Sequence, residues 1–199
     1  MNNTRDAIPP FGAATGSASF PPVLDACCGP KGMWFNKHDP RALYADRRRE
    51  RWSMDRVGCN GARVANIDPD IIADFTDLPF PDNSFALVVM DPPHIPQESA
   101  TGHVVRQYGN LAGNWKEMIR QGFRECFRVL RPDGTLIFKW NECRIPVKDI
   151  LPLSPEPPLF GHLSGKRMQT HWITFLKPNS QAQSSSGLTD ATCSKSTIS

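Results

Sequence analysis

Four carboxylates close short apolar runs in this chain: Asp25 after PPVL, Asp46 after RALYA, Asp74 after DIIA and Asp91 after FALVVM. Open α/β sheets bind their ligands just beyond the carboxyl ends of the strands, so repeated acids there outline a site. The last of them carries the sharpest signal, Asp91-Pro92-Pro93-His94. Each residue that precedes a proline is pushed to extended backbone, and each ring fixes its own φ. The result is a stiff corner that presents a carboxylate and a backbone carbonyl, both hydrogen-bond acceptors. Such a pair suits an exocyclic amino group, whose lone pair is delocalised into its ring. Acceptors on its protons favour a more tetrahedral nitrogen with the lone pair aimed outward. Preorganisation of this kind is where much catalytic benefit arises. His94 is placed to stack on a flat substrate.

Asp46 lies 21 positions after Asp25. A ribose-binding acid stands about 20 residues beyond a nucleoside-binding glycine turn, and its carboxylate accepts from both hydroxyls. The turn here is DACCGPKG, in which the small residues Ala26, Cys27 and Gly29 let the backbone approach a ligand closely. It is not the dinucleotide pattern G-x-G-x-x-G, which argues against a nicotinamide dehydrogenase.

The elements that must hold these residues alternate. Short apolar runs ending at Asp25, Asp46 and Asp91 read as buried strands, with DIIADF as a shorter one between them. A basic segment, Arg47–Arg63, follows the second run. Asn114 starts a helix with Glu117 as its capping partner, and Met118, Ile119, Phe123, Phe127 and Leu130 share its apolar face. Pro132 and Gly134 stop it. TLIFKW is the next strand, and HLSGKRMQTHWITFL reads as two strands around a polar turn. The expectation is an α/β fold with a mostly parallel sheet, helices on both faces and an antiparallel C-terminal hairpin. Between Gly29 and Arg41 there is room for only a turn or two of helix.

The 199 residues suffice for one domain. It is expected over 22–177, flanked by polar, aperiodic tails at 1–21 and 178–199. The net charge of +3 permits a nucleic-acid partner without demanding one. No run approaches the roughly 18 apolar residues of a membrane span, and the first residues lack the pattern of a secretory leader. The six cysteines form no C-x-x-C pair, so neither zinc nor a disulfide framework is expected. The default compartment is a reducing cytoplasm.

With these motifs, DACCG, LPFPDNSF, DPPH and FKWNE, the chain resembles the class I S-adenosylmethionine-dependent methyltransferases. Within them it is similar to the amino-methyltransferases, and to small single-domain bacterial and phage members. The resemblance covers 22–177 and implies a Rossmann-like methyltransferase fold with S-adenosylmethionine as cofactor. It implies that Asp25, Ala26, Cys27 and Gly29 line the methionine end, and that Asp46 holds the ribose. Asp74, with Phe75 beside it, would serve the adenine. Asp91, Pro92, Pro93 and His94 would form the catalytic corner, aiming the amine at the methyl donor. Lys31 stands where a third glycine is common, His94 replaces the commoner Tyr, Phe or Trp, and Ala86 replaces an Asp.

Lys139, Trp140, Asn141 and Glu142 either line the pocket or close a strand with Trp140 in the core. The arginines 47, 48, 49, 51, 56 and 63 read as a solvated face, with phosphate binding as the alternative. His162 and His171 have no acidic cluster around them and read as ordinary residues, not metal ligands. Trp115 reads as helix-start packing. The expected acceptor is an exocyclic amine of a DNA or RNA base, reached in single-stranded or flipped form. A small-molecule or protein amine and an inactive cofactor-binding regulator are the alternatives. An intact Asp91-Pro92-Pro93 argues against the regulator. The insertion 95–114 beside the corner could close over substrate.

Overall fold

The computed structural model describes residues 20–54, 63–95, 111, 113–165 and 167–179. Most of both expected tails, most of the 95–114 insertion and Arg56 lie outside these residues.

A seven-stranded sheet forms the molecule's frame. Its strands are β1 (Val23–Asp25), β2 (Ala42–Asp46), β5 (Ile71–Ile72), β6 (Phe85–Met90), β7 (Leu130–Asn141), β8 (Phe160–Ser164) and β9 (Thr170–Leu176). They lie in the order β5-β2-β1-β6-β7-β9-β8. All neighbouring pairs from β5 to β7 are parallel. β9 runs against both β7 and β8, so it alone is reversed and β8 regains the common direction. The expected C-terminal hairpin is therefore present, folded inward with its second strand next to β7. A separate antiparallel pair joins β3 (Glu50–Met54), inside the basic segment, to β4 (Arg63–Ile67), which begins at its last residue.

Helices are few among the described residues. The long one, α1 (Trp115–Val129), begins as expected: the Asn114 side chain accepts from the Glu117 N–H at 3.3 Å. Ile119, Phe123 and Phe127 bury its apolar face against Leu24, Met90, Phe138 and Phe175 on one side of the sheet. Trp140 also belongs to this core and is fully buried. A short helix, α2 (Val147–Ile150), and a 3-10 turn (Leu151–Leu153) precede β8. The β1–β2 crossover contains turns and no helix. On that side of the sheet Trp34 packs edge-on to Tyr44, with ring centroids 4.9 Å apart.

Candidate active site

The first βα-type turn is stitched to its neighbours through its backbone. Ala26 N–H donates to the Val89 carbonyl at 2.9 Å and Cys28 N–H to that of Ala45 at 2.8 Å. Gly29, at φ +48°, then turns the chain, a conformation that costs a residue without Cβ nothing. Its N–H donates to Asp46 Oδ2 at 3.0 Å. Lys31 also takes a left-handed conformation, at φ +54°. The geometry of the missing third glycine is thus kept by a lysine whose ammonium lies 3.9 Å above the Tyr44 ring. That cation–π contact helps offset the backbone strain.

Two openings flank this turn. The first is a cleft lined by Ala26, Cys27, Gly29, Asp46, Arg47, Arg48, Ala73, Phe75, Asp91 and Pro93. Asp46, at the end of β2, is nearly buried, and its Oδ1 accepts from the Arg48 N–H at 2.9 Å. Asp46 together with an apolar Ala73, Phe75 and Pro93 lining fits a nucleoside: the carboxylate accepts from hydroxyls and the apolar groups cover a ring. The second opening is lined by residues of the 27–33 turn with Asp91, Lys139 and Trp172. Asp91 is a wall of both.

Of the expected cofactor residues, Ala26, Cys27, Gly29, Asp46 and Phe75 come together in the first cleft. Asp25 and Asp74 do not line it. Asp25 is fully buried beneath the turn, where it accepts from Trp34 Nε1 at 2.7 Å and from the Cys27 N–H at 3.2 Å. Burial outweighs those two donors and pushes its carboxyl up to about 7. Asp74 Oδ1 is engaged by the N–H and hydroxyl of Thr76, at 3.0 and 2.8 Å.

Of the expected catalytic corner, Asp91 and Pro93 face the cleft while Pro92 is buried. His94 lines neither opening. It is half-buried with its ring centroid 6.3 Å from that of Trp140, edge to face, and burial pulls its imidazole below the usual range.

Asp91 has a partner that sequence reasoning left open. Lys139 Nζ lies 2.5 Å from Asp91 Oδ2, with side chains 25% and 13% exposed. β6 and β7 are adjacent and pair Met90 with Phe138, which sets Asp91 beside Lys139. Burial raises the Asp91 carboxyl above its ordinary value and the ammonium opposes that rise. Trp140, Asn141 and Glu142 play no such part: Trp140 is core, and Glu142 pairs with His171 at 3.1 Å. Trp172, on β9, is a site residue that sequence reasoning missed.

The strand order, with one reversed strand between β7 and β8, decides the fold. It is the Rossmann-like methyltransferase fold. The PH0226 protein of Pyrococcus horikoshii superposes with a TM-score of 0.50 at 16% identity, over 79% of this chain and 81% of that one. A TehB-like S-adenosylmethionine-dependent methyltransferase of Corynebacterium glutamicum gives 0.48 at 14% identity, over 78% and 79% of the two chains. The 1,6-didemethyltoxoflavin-N1-methyltransferase of Burkholderia thailandensis gives 0.44 at 11%, over 79% and 71%. No protein-family model matches the sequence, and comparison with curated proteins finds no similar one. Within this methyltransferase fold, the cleft and the Asp91 corner sit where the carboxyl ends of β1, β2 and β6 converge.

Proposed function

We propose that the chain is an S-adenosylmethionine-dependent methyltransferase that methylates an exocyclic amino nitrogen of a nucleic-acid base. The carrying observation is the position of Asp91: of the residues that line both openings, Cys27, Gly29 and Asp91, it alone carries a carboxylate. A cofactor in the first and an acceptor in the second would meet at this carboxylate.

The lining of the two openings supports a role for each residue. Asp46 would hold the ribose hydroxyls, and Ala73, Phe75 and Pro93 the adenine ring. Bound S-adenosylmethionine supplies an electrophilic methyl group. Asp91 Oδ2 is taken by Lys139, so Oδ1 is the atom that accepts the acceptor amine's N–H. Transfer would form a nitrogen–carbon bond and break a carbon–sulfur bond, the sulfur keeping the electron pair and one proton passing from the nitrogen to water. Pro92 and Pro93 hold the carboxylate still, so alignment costs no reorganisation during the reaction.

Mass spectrometry of nucleosides from DNA and RNA tests this reading. Cells making the chain should contain a methylated amino base that cells making Asp91→Ala lack. An unchanged nucleoside profile would remove nucleic acid as substrate. Calorimetry should show markedly weaker cofactor binding for Asp46→Ala and near-normal binding for Asp91→Ala.

A further inference from the structure

We propose that the opening on the β7–β9 side of Asp91 is the acceptor subsite, and that it admits a planar, uncharged heteroaromatic amine stacked on Trp172. The inference rests on the methyl-transfer reading above. It adds the residue on which the acceptor stacks, Trp172, and the residue that turns away an aliphatic amine, Lys139.

Three strands build the subsite as a row. Lys139 on β7 stands directly opposite Trp172 on β9, and Asp91 follows β6 on the other side of Lys139. Trp172 is half-buried, and its Nε1–H donates to Ser164 Oγ at 3.1 Å, which fixes the ring plane. Met33 and Gly32 of the turn line the same opening. A Cβ built on Gly32 would meet nothing within 4 Å, so the turn takes a larger side chain there without a clash. An aromatic face fixed by its own hydrogen bond is a stacking platform at little entropic cost.

Lys139 sets the class. Its ammonium sits against Asp91 Oδ2 and 5.5 Å from the Trp172 ring centroid. An alkylammonium acceptor would bring a second positive charge to the same carboxylate, and like charges a few ångströms apart repel. It also has no lone pair until it loses a proton. An amino group on a nitrogen heterocycle is uncharged at neutral pH. Its N–H can donate to Asp91 Oδ1, while the adjacent ring nitrogen can accept from the remaining protons of Lys139. Donor and acceptor lie side by side on both partners, which an aliphatic amine cannot match. The other titratable groups near Asp91 are His94, Asp25 and Cys27. None of them is an ammonium that could take the place of Lys139.

The test uses the full chain saturated with S-adenosylhomocysteine, titrated with adenosine, with cytidine and with n-butylammonium, and followed by proton–nitrogen NMR. The Trp172 indole signal is assigned by its loss in Trp172→Phe. Adenosine or cytidine should move that signal and the Gly32 and Met33 amides in a saturable way, and n-butylammonium should not. Trp172→Ala should weaken nucleoside binding by about 5- to 150-fold, the stacking range converted at 1.4 kcal/mol per decade. Trp172→Phe should weaken it far less. Gly32→Leu, which fills the opening from the turn, should block the nucleoside while S-adenosylhomocysteine still binds. A parent chain that does not bind S-adenosylhomocysteine overturns the methyl-transfer reading itself. Binding of S-adenosylhomocysteine with no nucleoside response at Trp172, or with an equal response to n-butylammonium, overturns the subsite alone.

Discussion

Asp91 is held between two opposing influences, burial and the Lys139 ammonium, and its pH response follows from them. An acceptor carboxylate must be ionised. Burial raises its protonation range and Lys139 lowers it. Activity should therefore fall as pH drops through that range, and Lys139→Met should move the acid limb to higher pH. Lys139→Arg should leave the limb near its parent position. Rates of S-adenosylhomocysteine release across pH 5 to 9 measure this, and an unmoved limb in Lys139→Met would separate the two residues. Asp91→Ala should cost about a hundred- to a thousandfold in turnover. Asp25 works in the opposite sense on stability. Burial pushes its folded carboxyl up to about 7, well above the ordinary carboxylate range, so the folded state keeps a proton that the unfolded chain has lost. Stability should decline as pH rises from about 4 to 7, by on the order of a few kcal/mol. Urea unfolding of the cofactor-free protein should show that slope, and Asp25→Asn should flatten it. The acids themselves were legible in the sequence because each ends an apolar run. Lys139 as the partner of Asp91 was not, since only the pairing of β6 with β7 brings residues 91 and 139 together. Trp172 needed a further step, the insertion of β9 beside β7.

The elements divide along similar lines. β1, β2, β6, α1 and the β8–β9 hairpin were readable because each shows its own period or cap. The β3–β4 pair was not read, because its arginines dominate the composition. Yet Trp52 is buried between exposed Arg51 and Ser53, and Ala65 and Ile67 are buried around exposed Asn66. That alternation is the signature of a half-buried strand. The β1–β2 crossover is tied by backbone hydrogen bonds and by Trp34, which explains how it dispenses with a helix. Helix α1 also reaches the site through packing. A Cβ at Gly122 would lie 2.5 Å from the Phe75 ring and 2.7 Å from Met90 Cε. Alanine favours helix over glycine by about 1 kcal/mol, but overpacking costs about 1–3 kcal/mol. Gly122→Ala should thus lower the thermal midpoint. Because Phe75 also lines the nucleoside cleft, it should weaken cofactor binding too, and calorimetry beside a melting curve reads both. A stabilised variant with unchanged affinity would show that Phe75 yields freely.

At the scale of the molecule, two residues just outside 22–177 make contacts with the rest of the described chain. Phe20, counted with the tail, packs against Phe80 and Phe85 with centroids 5.5 and 5.6 Å away. Asn179 donates to Asp133 at 2.9 Å. A chain cut to residues 20–179 should melt with the full chain, and one cut to 22–177 should lose about 1–3 kcal/mol, mostly through Phe20. Equal melting of both would make Phe20 an ornament of the surface. No helix among the described residues is long and apolar enough to cross a membrane. The bond from Gly29 to Asp46 has a consequence for affinity. The same turn that leans on Asp46 forms a wall of the second opening. Whatever occupies one compartment biases the shape of the other, and that bias is reciprocal. Each partner should then change the other's affinity by the same factor. Calorimetry of S-adenosylhomocysteine and of the acceptor, each with and without the other, would record it as two equal ratios of dissociation constants.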